Sequence, residues 1–191
     1  MNRYLDWARR EPSTPQLVVT LLGAGSLILA GLPFAIAVTG AWADRALGLP
    51  PFSAGLATGI AGLGLLVIGG AFAFWAVFAE ARIGHGTPVP MIPTQRLVVV
   101  PPFTFCRNPM VLGTAVGYLG LGVLLGSFSA IVLVLVFATL LLVYVKVFEE
   151  KELAARFGAE YLKYKRTTPF LLPRLSREPG GRRRNGAGEG T

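Results

Sequence analysis

Residues 108–145 read NPMVLGTAVGYLGLGVLLGSFSAIVLVLVFATLLLVYV, an unbroken run without a single Asp, Glu, Lys or Arg. One bilayer crossing takes about 20 helical residues. The run is therefore too long for one crossing and too apolar for a helix in water. Gly126-Ser127-Phe128-Ser129 sits at its middle and reads as a tight reversal. Within hydrocarbon every backbone N–H and C=O has to find its partner inside the segment. The run is thus expected to be an antiparallel helical hairpin, Pro109 to Leu125 and Ser129 to Val147.

Outward from that hairpin lie two more charge-free runs, Pro12 to Ala43 and Ala46 to Ala79. They predict crossings near 17–39 and 55–79, the second following the turn chemistry of Leu49-Pro50-Pro51. Basic residues sort by side. Arg3, Arg9 and Arg10 precede the first span, Arg82, Arg96 and Arg107 fall between the second and third, and those from Lys146 onward follow the fourth. Only Arg45 falls on the opposite side. The positive-inside rule then puts both termini and the loop from Glu80 to Asn108 in the cytoplasm.

Beyond the fourth span, Leu153, Phe157, Tyr161 and Tyr164 recur at helical spacing. They predict an interfacial amphipathic helix near 149–166, with Lys163, Lys165 and Arg166 toward lipid headgroups. The expected fold is all-α: a polytopic helical membrane protein of about four transmembrane helices plus that C-terminal helix. It forms one domain over 1–176, followed by a basic tail at 177–191 expected to be disordered.

Composition excludes several classes of function. The chain is 53% hydrophobic and 15% charged, against roughly 25% charged in ordinary soluble domains. A net charge of +8 beside apolar spans suits anionic lipid rather than nucleic acid. One cysteine, Cys106, and one histidine, His85, supply neither a disulfide framework nor a histidine or cysteine metal cluster. The first apolar run begins at Leu17 and is too long for a signal-peptide core. Gly55, Gly59 and Gly62, and Gly113 and Gly117, have the small-xxx-small spacing of close helix packing. None of the glycines opens a βαβ unit, which excludes a soluble nucleotide-binding sheet fold.

Groups able to do chemistry collect in two places. One is the loop from Gly84-His85-Gly86-Thr87-Pro88 to Arg107-Asn108-Pro109; the other is Lys146-Val147-Phe148-Glu149-Glu150. The reversal at 126–129 makes these neighbours at one membrane surface. Asn108 is a good N-cap and Pro109 a good first helical residue, so the start of the third span offers free N–H groups to an anion. Taken alone, Arg-Asn-Pro also serves simply to begin a helix. Glu149-Glu150 is either a solvated pair, with Glu150 bonded to Lys146 one turn back, or a carboxylate that accepts from ribose hydroxyls or an amino group. His85 reads as a solvated loop residue or a general base. Cys106 reads as a small packed residue, although Arg107 beside it could lower its pKa.

The ordered series Gly84-x-Gly86-Thr87-Pro88-x-Pro90, Leu97-Val98, Arg107-Asn108-Pro109-Met110-x-Leu112-Gly113, Glu149-Glu150, Phe157-Gly158-x-x-Tyr161-x-x-Tyr164 and Pro173-Arg174 resembles the isoprenylcysteine carboxyl methyltransferase and phospholipid methyltransferase superfamily. The resemblance implies an integral membrane enzyme that moves a methyl group from S-adenosyl-L-methionine to a lipid or prenylated acceptor (carboxylate, amine or thiol). It implies a cofactor site on the cytoplasmic side formed by Gln95, Leu97, Val98, Phe103, Arg107, Asn108, Pro109, Met110, Val111, Gly113, Glu149 and Glu150. Lys146, Tyr144 and Arg174 are implied near the acceptor. Asn108, often His in eukaryotic members, suits the bacterial branch and hence a bacterial inner membrane. The usual Gly-Pro-Tyr-Arg-Tyr stands here as Pro101-Pro102-Phe103-Thr104-Phe105, and the usual Tyr after Asn-Pro-Met is Val111. Two other readings stay open: an NADPH-dependent sterol-type membrane reductase, against which Val111 and Thr114 count, and a non-catalytic membrane scaffold.

Overall fold

Each charge-free run folds as helix in the computed structural model, which describes residues 14–52, 55–84 and 94–172; no strand occurs among them. Helices α1 (Thr14–Ser26) and α2 (Leu32–Ala46) join through a π-helical turn, Leu27–Gly31, into one rod. Helix α3 (Leu56–Ala79) is prolonged by a second π turn, Glu80–Gly84. Helices α4 (Pro109–Leu125) and α5 (Phe128–Tyr144) form the hairpin, and a third π turn, Val145–Glu149, carries α5 into α6 (Glu150–Thr167). Leu22–Ala46, Leu56–Gly84 and Phe128–Thr167 are long and apolar enough to cross a membrane. Helix α4 is apolar but shorter, ~25 Å at 1.5 Å per residue. His85 through Pro90, Pro173-Arg174 and the tail at 177–191 lie outside the described residues.

The helix expected at 149–166 is present, but it is no separate element. Helical geometry runs on from Phe128, broken only at Gly158, whose φ of 54° a glycine adopts without penalty. Its tyrosine face turns onto protein: Tyr161 and Tyr164 are buried. Lys165, expected toward headgroups, donates instead to Glu150 at 2.7 Å.

The reversal is built as its residues suggest. Gly126 takes the left-handed conformation at φ 61°, and Ser127 Oγ caps α5 by accepting from Ala130 N at 3.0 Å. No local pattern announces the role of Asp44 here. Ser127 Oγ donates to Asp44 Oδ2 at 2.5 Å and Ser129 N donates to Oδ1 at 2.9 Å, tying the end of α2 to the start of α5. Asp44→Ala is expected to destabilise the fold, because it leaves the Ser127 hydroxyl and the Ser129 N–H without their acceptor. The check is the thermal unfolding midpoint in detergent, and an unchanged midpoint contradicts it.

Glycines set the helix spacing. A Cβ on Gly69 would stand 2.6 Å from Gly113 O, and one on Gly120 2.7 Å from Gly62 O, so α3 and α4 touch backbone to backbone. Gly62 joins this contact as expected, whereas Gly55 and Gly59 have nothing within 4 Å of an added Cβ. On the other side of α4, Gly40 of α2 meets Ala130 of α5, and Ile36, Tyr118, Ala130 and Val134 form the small core. Outward faces are apolar and exposed, including Leu29, Phe34, Leu56 and Phe74, as a lipid-facing surface requires.

Candidate functional site

The hairpin sets the start of α4 beside the end of α5, and the two polar clusters meet there. The Arg107 guanidinium forms an ion pair with Glu150, both side chains being more than nine-tenths buried. Arg107 Nε also donates to Thr168 O at 3.1 Å, and its backbone N–H to Pro169 O at 2.9 Å. Tyr164 Oη donates to Phe103 O at 2.7 Å. Lys146 Nζ, 3.5 Å from Glu150, adds a second charge contact and lies 4.8 Å from the centroid of the Phe170 ring. This knot clamps the loop before α4 onto α6 and the segment after it.

Asn108 differs from expectation. Its side chain does not cap α4; its amide donates to Phe170 O at 2.8 Å. The first-turn N–H groups of α4 are thereby left without that cap, next to an open space. Cys106 is fully buried, and burial pushes its thiol pKa up rather than down, which fits the packed residue and not a reactive one.

That open space is a cavity of about 270 Å³. At its polar end it is lined by Glu80, Thr94, Asn108, Glu149, Glu152 and Arg156. It then runs along α4 past Thr114 to Tyr118, ~15 Å at the helical rise. Ile28, Leu32, Phe137 and Leu141 make that far part apolar. Tyr118 closes it by donating its hydroxyl to Ile28 O. All three π turns among the described residues contribute to the lining: Ile28 from the first, Glu80 from the second, Val145 and Glu149 from the third. Such turns are rare in proteins and concentrate at functional sites, where the wider turn re-aims side chains.

Of the residues singled out by sequence, Phe103, Arg107, Asn108, Pro109, Met110, Val111, Tyr144 and Glu149 line this cavity. Glu150 does not; it lines an adjoining void of about 20 Å³ and is occupied by its cations. Lys146 also stands outside, drawn to Glu150 and Phe170. Gly113 faces Ala73 of α3, 2.5 Å from its N on an added Cβ, so it packs helices instead of touching the cavity. Gln95, Leu97 and Val98 form the loop behind: Gln95 N donates to Gly84 O at 2.6 Å and Val98 is buried against Gly84. His85 and Arg174 lie outside the described residues. Sequence reading missed Glu80, Thr94, Glu152 and Arg156 as cavity residues. Glu152 and Arg156 carry a local signal, four residues apart with a 3.1 Å ion pair, but nothing local aims them inward. Among the described residues no group of three or more His, Cys, Asp or Glu is placed to hold a metal ion.

The family model for phospholipid methyltransferase matches residues 57–160, more than half of the chain: α3 from its second residue onward and the whole of α4 and α5. The chain belongs to the phospholipid methyltransferase family. Membership carries membrane methyltransferase activity as the family's trait and agrees with the apolar helices. The chain is 34% identical over 84 residues to the nickel-cobalt-cadmium resistance protein NccN of Alcaligenes xylosoxydans xylosoxydans, covering 44% of this chain and 38% of that protein. It is 37% identical over 81 residues to the cobalt-zinc-cadmium resistance protein CzcN of Cupriavidus metallidurans, covering 42% and 37%. The matched part is thus under two fifths of the length of these curated relatives. No solved structure matches the chain.

Proposed function

We propose that this phospholipid methyltransferase family member transfers a methyl group from S-adenosylmethionine to a lipid-like acceptor (amine, carboxylate or thiol) at the cytoplasmic face of a bacterial inner membrane, with both termini cytoplasmic. The observation that carries the reading is a single cavity with carboxylates and an uncapped helix start at one end and an apolar channel at the other. The residues suit the donor. Uncapped N–H groups in the first turn of α4 favour its carboxylate. Glu149, without a hydrogen bond or ion pair among the described residues, suits its ammonium or ribose hydroxyls. Phe103 and Tyr144 offer ring faces for the adenine. The acceptor's apolar tail would lie along Tyr118, Phe137 and Leu141.

Methyl transfer from a sulfonium is an in-line displacement that depends on alignment more than on acid–base groups. The work of this chain is then to hold two ligands end to end and keep water from between them. Arg107 and Glu150 keep the loop closed, while Asn108 to Val111 and Glu149 orient the donor. His85, Lys146 and Arg174 are proposed on the acceptor side.

Calorimetry of the detergent-purified full chain with S-adenosylmethionine and with S-adenosylhomocysteine tests this. Glu149→Gln is expected to weaken binding about tenfold or more, as losing a charged partner of about 1.4 kcal/mol does, with an unchanged melting midpoint. Absence of binding of either compound to the native chain overturns the reading. Mass spectrometry of lipid extracts methylated from labelled donor then identifies the product.

A further inference from the structure

The apolar arm of the cavity has a built end. Val111, Thr114 and Tyr118 line it from α4 at helical spacing, on one face of the helix. The first two side chains are short and leave room; Tyr118 is the first large one on that face. Its ring is buried and leans on Phe137, centroids 6.3 Å apart, and its hydroxyl donates to Ile28 O in the first π turn. Ile36, Ala130 and Val134 pack with it in the small core, and none of the three lines the cavity. The block is also pinned. In hydrocarbon the phenol hydroxyl has no water to turn to, so swinging Tyr118 aside leaves it unpaired at a cost.

A pinned floor limits the length of what lies above it. From Val111, the last of the residues that orient the donor, the arm runs down α4 to Tyr118, ~10 Å at the helical rise. An extended alkyl chain advances a little less than its ~1.5 Å bond length per carbon, so the arm holds about eight carbons. Hydrophobicity does not favour a longer tail. Extra methylenes are as well placed among lipid as among Leu and Ile side chains, so they gain nothing and have to displace Tyr118. We propose that Tyr118, set against the Ile28 carbonyl, is the specificity-determining floor of the site. The acceptor then carries one apolar chain of about eight carbons, not the two long chains of a membrane phospholipid; this rests on the methyl-transfer reading above. Ile28 stands ahead of the family-matched residues 57–160, so the limit depends on this chain's own first rod and does not come with family membership.

The test uses the full chain in detergent, saturated with S-adenosylhomocysteine and titrated calorimetrically with 1-octanol or 1-dodecanol against a blank of empty micelles. The native chain is expected to bind 1-octanol about tenfold or more tightly than 1-dodecanol. Thr114→Phe puts a ring about one turn, ~6 Å, above Tyr118. It is expected to weaken 1-octanol binding about tenfold or more, with 1-butanol binding, S-adenosylhomocysteine affinity and melting midpoint unchanged. Tyr118→Ala lowers the floor and is expected to bring 1-dodecanol within about threefold of 1-octanol; if that variant does not fold, Thr114→Phe carries the test alone. Equal affinity of the native chain for the two alkanols, or no binding of 1-octanol, overturns the proposal while leaving methyl transfer intact. So does 1-octanol binding that ignores Thr114→Phe, or a folded Tyr118→Ala protein that still rejects 1-dodecanol. Failure of S-adenosylhomocysteine to bind the native chain overturns the methyl-transfer reading and this proposal with it.

Discussion

Glu150→Ala is expected to loosen the whole polar end of the bundle, at a cost of about 3–5 kcal/mol, the range for removing one partner of a buried ion pair. Arg107 would keep its bond to Thr168 O but stand more than nine-tenths buried without its counter-charge. Lys146 and Lys165 are far more exposed than Arg107, so they lose little, and the penalty falls on the guanidinium. Thermal unfolding in detergent should show a large drop in midpoint, and donor binding should fall with it because the loop carrying Phe103 to Asn108 comes free. The neighbouring Glu149→Gln is the contrast: binding lost, midpoint kept. Equal midpoints for the two variants would remove the distinction between a clamp and a ligand contact in this Glu-Glu pair.

Gly113→Leu should be as damaging for a different reason. An added Cβ there meets Ala73 N at 2.5 Å and Gly69 O at 2.7 Å, and both are backbone atoms that cannot swing aside. The helices must separate, which costs about 3 kcal/mol or more by the measure of forced overpacking. It also shifts Met110, Val111 and Thr114 away from the cavity they line. Gly59→Ala, a smaller addition at a glycine of α3 outside the α3–α4 contact, meets nothing within 4 Å and is expected to leave the midpoint nearly unchanged. A Gly113→Leu protein that unfolds at the native midpoint contradicts the backbone contact.

The hairpin could be read from sequence because its signals are local: an apolar run too long for one crossing, with Gly126 and Ser127 where the chain must turn. Convergence of Arg107 with the Glu pair followed from the same turn. What stayed hidden was every contact made across the bundle. Asp44 reaches Ser127 and Ser129 over more than 80 residues, and no pattern near Asp44 announces it. Glu80 looked like the first charge after a span, because the π turn that directs it into the cavity has no sequence signature. Glu149 and Glu150 read alike as ligand contacts, since charge alone does not tell which carboxylate of a pair is spent on the protein's own cations. The tyrosines of α6 have a helical period that predicts a face but not what the face rests on; lipid and the Arg107 loop were equally good partners for it.

The strap from Thr168 to Phe170 has a consequence for how the molecule is made. Asn108 donates to a carbonyl 62 positions later in the chain, and Arg107 to others nearly as distant. During synthesis both hairpin helices can enter the bilayer and pair long before Phe170 leaves the ribosome. A nascent chain halted just short of it would be inserted and mostly helical, yet unable to grip a ligand. Under the proposed methyl transfer, competence therefore waits for the segment that carries Phe170.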